Sequence, residues 1–304
     1  MKRVLVTGAS GWLGRHCLPL LLERGYDVHA VATKPRTPSA ANFHWHQVDL
    51  LDDSRAAALV AEVRPTDLLH LAWCATPGIY WTSPENFAWV RASLILLQAF
   101  ATHGGERLVT AGTCAEYDWR YGYCSESVTP LAPMTVYGTC KNALQNMTDS
   151  FAAEYGLASA WGRVFFLYGP HEQPARLVPS VIRALLAGDP ARCTHGNQVR
   201  DYLHVADVAA AFVALLEGDV TGAVNIASGK PVTVKEIVSL IGEMLDRSEL
   251  IQFGAIPAPA NDPPLLVADT RRLTGEIGWS PTYDLRAGLA ETLRWWSTRM
   301  DNAV

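Results

Sequence analysis

Tyr137 and Lys141 stand four residues apart in a stretch whose periodicity predicts a helix over about 135–154, so both fall on one helical face. A free tyrosine, with a pKa of about 10, is a poor acid–base catalyst near neutrality. An ammonium beside it favours the phenolate and brings that pKa toward the working range. The pair then suits proton exchange with a hydroxyl or carbonyl oxygen. Many helices carry a Tyr/Lys pair on their surface by chance, so the pair alone decides little. Thr113 stands 24 residues before Tyr137, at the end of the strand-like run RLVTA and its turn. Its hydroxyl can bond the same reacting oxygen; a plain turn threonine is the alternative.

A second set of residues bears on what the pair would work with. Gly8, Gly11 and Gly14 lie in TGASGWLG, between the strand-like KRVLVT and a helical stretch from Leu13 to Arg24. Glycines there allow a sharp turn and close backbone approach to a pyrophosphate, while the helix N-terminus supplies N–H groups and a positive dipole end. Turns are glycine-rich for steric reasons as well. Directly after VLVT, the loop reads as a dinucleotide site.

The elements that must position these residues follow one grammar in the first half. Strands are predicted at 2–7, 27–32, 43–48, 66–72, 107–111 and 158–166, and helices at 13–24, 53–63, about 84–103 and about 135–154. Ser83-Pro84-Glu85 marks a helix start, with a capping serine and a proline in the first turn. Alternating strands and helices imply a parallel sheet covered on both faces, and right-handed crossovers make it doubly wound. After about Tyr168 prolines punctuate shorter elements, and a smaller substrate-facing region is expected there. His44-x-His46 would point to one face of an alternating strand; a strand edge is the preferred reading over a metal pair.

Composition narrows the class. The 304 residues are 49% hydrophobic, with 30 acids against 25 bases and a net charge of −5. Such a chain buries a substantial core and offers no global basic field for nucleic acid. No apolar run reaches the ~18–20 residues of a membrane span, and the N-terminal stretch reads as a strand rather than a signal peptide. The six cysteines form no CxxC pair and read as reduced thiols, so a cytoplasmic protein is expected.

Together, TGASGWLG, Thr113 and Tyr137-Gly138-Thr139-Cys140-Lys141 resemble the extended short-chain dehydrogenase/reductase family, in its NAD-dependent epimerase/dehydratase branch. The likeness continues through Tyr168-Gly169-Pro170, Arg176-Leu177-Val178-Pro179 and Val199 to Asp207. It implies an α/β fold: a Rossmann-type doubly wound parallel sheet over 1–167, also receiving a strand from about 200–227, and a mainly substrate-binding domain over 168–304. It further implies a nucleoside-diphosphate sugar substrate, no nucleic-acid or membrane partner, and a homodimer joined through the helices near 84–103 and 135–154.

By the same resemblance Tyr137 is the general acid/base, Lys141 holds the nicotinamide ribose, and Thr113 polarises the reacting carbonyl. Ser10, Trp12 and Leu13 join the three glycines at the cofactor, with Thr33 after the second strand. Asp49 and Leu50 look like the adenine contact, and Leu71, Ala72 and Trp73 complete the groove. Thr76, Trp81, Cys114, Glu116 and Tyr117 are expected at the substrate. Arg176 and Arg200 look like the grip on its diphosphate, since a guanidinium fork suits phosphate oxygens. The alternative for Arg200 is an ordinary ion pair with Asp201. The usual asparagine before YGP is replaced here by Phe165-Phe166. Where relatives place a phosphate-binding arginine, this chain has Asn261-Asp262-Pro263-Pro264, with Arg271 or Arg272 as substitutes.

Cofactor and reaction can be argued further. An acid ending the second strand would bind a ribose diol and repel a 2′-phosphate. Here the segment reads Val31-Ala32-Thr33-Lys34-Pro35-Arg36, with no carboxylate, so Lys34 and Arg36 point to NADP(H) over NAD(H). Dehydratases of the family resemble one another in carrying acids directly after the catalytic Thr; Cys114 and Ala115 argue against that chemistry. The leading expectation is NADPH-dependent reduction of a nucleoside-diphosphate 4-keto-6-deoxyhexose. The alternatives are a nucleotide-sugar epimerase retaining NAD and a non-catalytic NADP(H)-sensing regulator. Trp73, Tyr80, Trp81, Tyr117 and Trp119 are expected around the pocket, and Trp295 and Trp296 in packing.

Overall fold

The computed structural model describes residues 2–37 and 40–301. In chain order β1 (Arg3–Thr7), α1 (Trp12–Glu23), β2 (Asp27–Ala32), β3 (Phe43–Gln47), α2 (Asp53–Val63), β4 (Asp67–His70), α3 (Glu85–Thr102) and β5 (Arg107–Thr113) come first. The chain continues through β6 (Tyr123–Cys124), α4 (Val136–Tyr155), β7 (Ala158–Val164), β8 (Phe166–Tyr168), α5 (Leu177–Ala187), β9 (Ala191–Arg192), β10 (Val199–His204), α6 (Val205–Glu217) and β11 (Gly222–Ile226). It ends with β12 (Pro231–Thr233), α7 (Val234–Leu245), β13 (Ile251–Gln252), β14 (Leu265–Ala268) and α8 (Leu285–Asp301).

Seven strands form one parallel sheet in the order β11-β7-β5-β4-β1-β2-β3. Helices α1 and α6 pack together on one face, and α2, α3 and α4 line up on the other. This is the doubly wound Rossmann-type arrangement, and its order reverses between β1 and β4, opening a crevice beyond their carboxyl ends. Caps written in the sequence start the helices: Ser83 Oγ accepts from the Glu85 N–H at 3.2 Å, and Thr135 Oγ1 from the Gly138 N–H at 3.0 Å. Helix α6 buries nine of its thirteen residues, so its apolar run is a core helix rather than an amphipathic one. Phe212 fills the space above Gly162, where an added Cβ would lie 2.6 Å from the ring.

The sixth predicted strand is two strands. β7 stops at Val164, Phe165 makes the bend, and β8 leaves the large sheet to pair in parallel with β10. The apolar stretch from Val164 to Tyr168 runs through the change of sheet without a break, so it carries no sign of one. β10 is also flanked by β12 and β14. Around it α5, α7 and α8 close a second core, centred on Ile182, Ile237, Ile241 and Leu289. Trp296 is buried in that core, with Trp295 packed against it edge-on. Among the described residues no helix is long and apolar enough to cross a membrane.

Candidate active site

The crevice is built by backbone packing first. Gly8 has φ +65°, and a Cβ there would lie 2.8 Å from both Ala72 N and Leu71 C, against the segment that follows β4. The Gly11 N–H donates to Gly8 O at 2.9 Å, and a Cβ on Gly14 would come within 2.3 Å of the same oxygen. Gly11 caps α1 without any side-chain bond, which leaves the N–H groups of the first turn open to the groove. That donor set fits a pyrophosphate. Beneath it, Thr7 Oγ1 accepts from the N–H groups of Leu71 and Ala72 and donates to His70 Nδ1 at 2.7 Å. His70 then donates from Nε2 to Ser93, and Ser93 donates to Trp89 O. Burial and the Lys141 charge hold His70 down to about 3, so the ring stays neutral and ties β1, β4 and α3 together.

The groove that results has a volume of about 600 Å³. It is lined by Gly8, Ser10, Gly11, Trp12, Leu13 and Gly14 from the loop, Thr33 from the end of β2, and Asp49 and Leu50 after β3. Leu71, Ala72, Trp73 and Thr76 close it beyond β4, with Tyr137 and Lys141 at its inner end. Lys34 and Arg36 do not line it. Arg36 instead lies over the Trp45 ring at 5.3 Å and borders a separate hollow with Arg15 and His171. The turn after Thr33 thus sets Arg36 against Trp45 rather than in the groove.

Beside the groove lies a cavity of about 450 Å³, lined by Tyr80, Trp81, Thr113, Cys114, Trp119, Phe165 and Phe166. Arg200, Tyr202, Glu172 and the segment Asn261-Asp262-Pro263 complete its wall, and Arg176 borders both spaces. Tyr137, on the groove side, interacts through its side chain with Thr113, on the cavity side. The Tyr80 and Trp81 rings stand edge-on to Tyr137 at 4.9 and 5.7 Å. Burial pushes the Tyr137 phenol well above its usual value, and the interaction with Thr113 pulls it part of the way back. Lys141 is buried and held by partners of its own. Its Nζ donates to Ala111 O at 2.8 Å and rests 3.8 Å from the centre of the Trp73 ring. Burial brings Lys141 itself down to about 7.

Three expected substrate contacts are placed elsewhere, Thr76 in the dinucleotide groove and the other two in the core. Glu116 and Tyr117 have no exposed surface and do not line the cavity. The Glu116 carboxylate accepts from Trp161 Nε1, Arg163 Nε and the Thr113 N–H, at 2.9, 2.6 and 2.9 Å. The Tyr117 hydroxyl accepts from Arg163 and donates to Asn225. A capping box around Thr113 turns both side chains inward. Arg271 and Arg272 also stay out of the cavity, paired with Asp269 and Glu276. Arg200 does reach it, but its ion pair is with Asp262 rather than Asp201. The Asp201 carboxylate is taken by the N–H groups of Ser228 and Gly229 and by the Ser228 hydroxyl.

The sequence reading missed Glu172 and Tyr202. Glu172 has a carboxyl oxygen without a partner, and burial lifts its pKa to about 8. An acid set between Pro170 and Pro174, directly after Tyr168-Gly169-Pro170, was the available signal.

The model of the NAD-dependent epimerase/dehydratase family matches residues 4–227, which includes the glycine loop, Thr113, Tyr137 and Lys141. The chain belongs to that family. It is an enzyme of the NAD-dependent short-chain dehydrogenase/reductase type. A UDP-glucose 4-epimerase of Corynebacterium glutamicum is 29% identical, over 93% of this chain and 92% of that one. The UDP-glucose 4-epimerase of Thermotoga maritima, solved with UDP-glucose, superposes with a TM-score of 0.87 at 25% identity, covering 98% of this chain and 99% of the other. The Thermus thermophilus UDP-glucose 4-epimerase, solved with NAD, gives 0.86 at 27% identity, covering 97% and 99%.

Proposed function

We propose that this family member interconverts a hydroxyl and a carbonyl at C4 of a nucleoside-diphosphate hexose, with epimerisation at C4 as the net result. The observation that carries the reading is the placement of Tyr137 and Thr113 side by side where the dinucleotide groove meets the aromatic cavity. A sugar carbon held against that pair has the two hydroxyls on one side and the groove on the other. The bound dinucleotide supplies the hydride acceptor and donor. Tyr137 Oη takes the proton of the C4 hydroxyl and later returns one, and Thr113 Oγ1 steadies the oxygen as charge develops. Lys141 holds the ribose at the groove's inner end. Aromatic walls suit the base and sugar faces, and Arg176 with Arg200 suits the diphosphate between them.

We assign NAD(H) as the resident cofactor, because Lys34 and Arg36 stand outside the groove and the Thermus relative was solved with NAD. One observation favours a second reading. β2 is followed by Thr33, with no carboxylate to repel a 2′-phosphate, which suits NADPH-dependent reduction of a 4-keto-6-deoxyhexose nucleotide. A homodimer contact is assigned to α3 and α4, which expose Phe87, Met147 and Tyr155; light scattering tests it.

The deciding experiment denatures the purified protein and assays the released dinucleotide, then incubates the native protein with UDP-glucose and follows its C4 epimer. Released NAD and an equilibrating epimer support the first reading. NADPH consumption with a 4-keto-6-deoxyhexose nucleotide supports the second. In either case Tyr137→Phe should lower turnover by about 10²–10⁴-fold. A protein indifferent to that change would be a cofactor sensor rather than an enzyme.

A further inference from the structure

At the opposite end of β2 from the groove, four side chains meet on one face of the sheet. Asp27 and His29 alternate along β2, and His44 and His46 along β3, in a parallel register that sets His29 beside His44. The two stretches are remote in sequence, which is why His44-x-His46 read alone gave only a strand edge. One ligand atom from each of Asp27, His29 and His44 lies within 4.8 Å of the others.

We propose that Asp27, His29 and His44 bind a divalent transition-metal ion of the zinc type, with His46 orienting His29. Tetrahedral bonds of about 2.0–2.1 Å place ligand atoms roughly 3.4 Å apart. One separation already matches, His44 Nε2 to Asp27 Oδ1 at 3.1 Å, and His29 Nε2 lies 3.4 Å from the other oxygen of the same carboxylate. A modest rotation of the half-exposed His44 ring closes the third. His29 Nδ1 lies 2.8 Å from His46 Nε2, so when the ion replaces the bond of His29 Nε2 to Asp27, Nδ1 would hold the ring proton and donate it to His46. An imidazole held by a partner on its other nitrogen is the usual arrangement behind a metal-bound histidine.

The charged surroundings are mixed. Arg3 Nε donates to Asp27 Oδ2 at 3.2 Å, which leaves Oδ1 for the ion, and Glu62 of α2 faces His46. The fourth position faces solvent beside His44 and takes water. No catalytic residue belongs to this cluster; the ion would pin β3, the edge strand of the sheet, to β2.

Zinc binding to the untagged full chain is measured by titration calorimetry and by metal analysis after dialysis. One ion per chain is expected, with a raised melting temperature and with weak tetrahedral absorption bands when Co²⁺ replaces Zn²⁺. His44→Gln, at a half-exposed position that tolerates change, should abolish the site, and Asp27→Asn should weaken it with the fold intact by circular dichroism. His46→Ala should weaken it by about 10–100-fold. No saturable binding, or one-to-one binding that survives His44→Gln and Asp27→Asn, would overturn the assignment. Epimerase activity should be the same with and without the ion.

Discussion

Arg163 Nε lies 2.6 Å from Glu116 Oε2, and neither side chain is more than 1% exposed. The pair is a knot rather than a lone ion pair. Arg163 also donates to Gln145 Oε1 of α4 and to the Tyr117 hydroxyl, while Glu116 accepts from Trp161 and from the Thr113 N–H. The end of β5, the helix carrying Tyr137 and the strand β7 are thereby fixed against one another directly behind the reacting groups. Full satisfaction of every polar atom is what allows two charges to sit there.

Removing one charge should therefore be worse than removing both. Glu116→Gln leaves the Arg163 guanidinium buried without its counter-charge, at a cost of about 3–5 kcal/mol in urea unfolding. The double change Glu116→Gln with Arg163→Met should recover part of that loss. Equal or additive losses in the double variant would mean that the pair does not act as a unit.

Gly138 is the second hidden support. A Cβ there would stand 2.3 Å from Ala115 O and 3.0 Å from Pro133 Cβ, so α4 approaches the turn after Thr113 through this glycine alone. Gly138→Ala normally favours a helix. Here it must push α4, and Tyr137 with it, away from Thr113. Turnover should fall by about 10²-fold, the size expected of an ångström's misplacement, while the melting temperature drops. Unchanged turnover would show that the Tyr137–Thr113 contact tolerates that shift.

These supports mark the limit of what the sequence makes legible. The glycine loop, the Tyr137/Lys141 spacing and Thr113 are local patterns whose side-chain requirements show in a single stretch. The same holds for the strand–helix alternation, since period and punctuation are local too. Glu116 and Tyr117 were misplaced because a capping box inverted their direction, and that inversion depends on Arg163, 47 residues on. The acid that pairs with Arg200 was hidden for a similar reason: Asp262 is distant in sequence and adjacent only once β14 lies beside β10. The split after Val164 was invisible because the apolar stretch runs through it without a break.

Lys141 carries a stability cost that pH should reveal. Burial lowers it from 10.5 to about 7 in the folded protein. Between those values the unfolded chain holds a proton that the folded chain lacks, so this residue makes stability rise as pH rises from about 7 to 10.5. Lys141→Met should remove that slope. The variant should be more stable than the parent at pH 7 and below, with the difference shrinking toward pH 10, and it should be inactive. Urea midpoints at several pH values test this. A constant difference across the range would mean that Lys141 keeps its proton in the fold.

The ion pair of Arg200 with Asp262 gives the last expectation. Arg200 is nearly buried in the cavity wall, where it also donates to Val199 O, and Asp262 is held in turn by Gln198 Nε2 at 2.9 Å. A substrate diphosphate must share that guanidinium with an acid already in contact with it. Asp262→Asn keeps the shape and removes the competing charge, so UDP should bind roughly three- to tenfold more tightly, the equivalent of about 0.7–1.4 kcal/mol. Arg200→Lys should weaken UDP, because a point charge lacks the fork that spans two phosphate oxygens. Calorimetric titration with UDP separates the two roles of the acid. Tighter binding marks Asp262 as a gate on the diphosphate site, whereas weaker binding in Asp262→Asn would show that it aims Arg200 at the ligand.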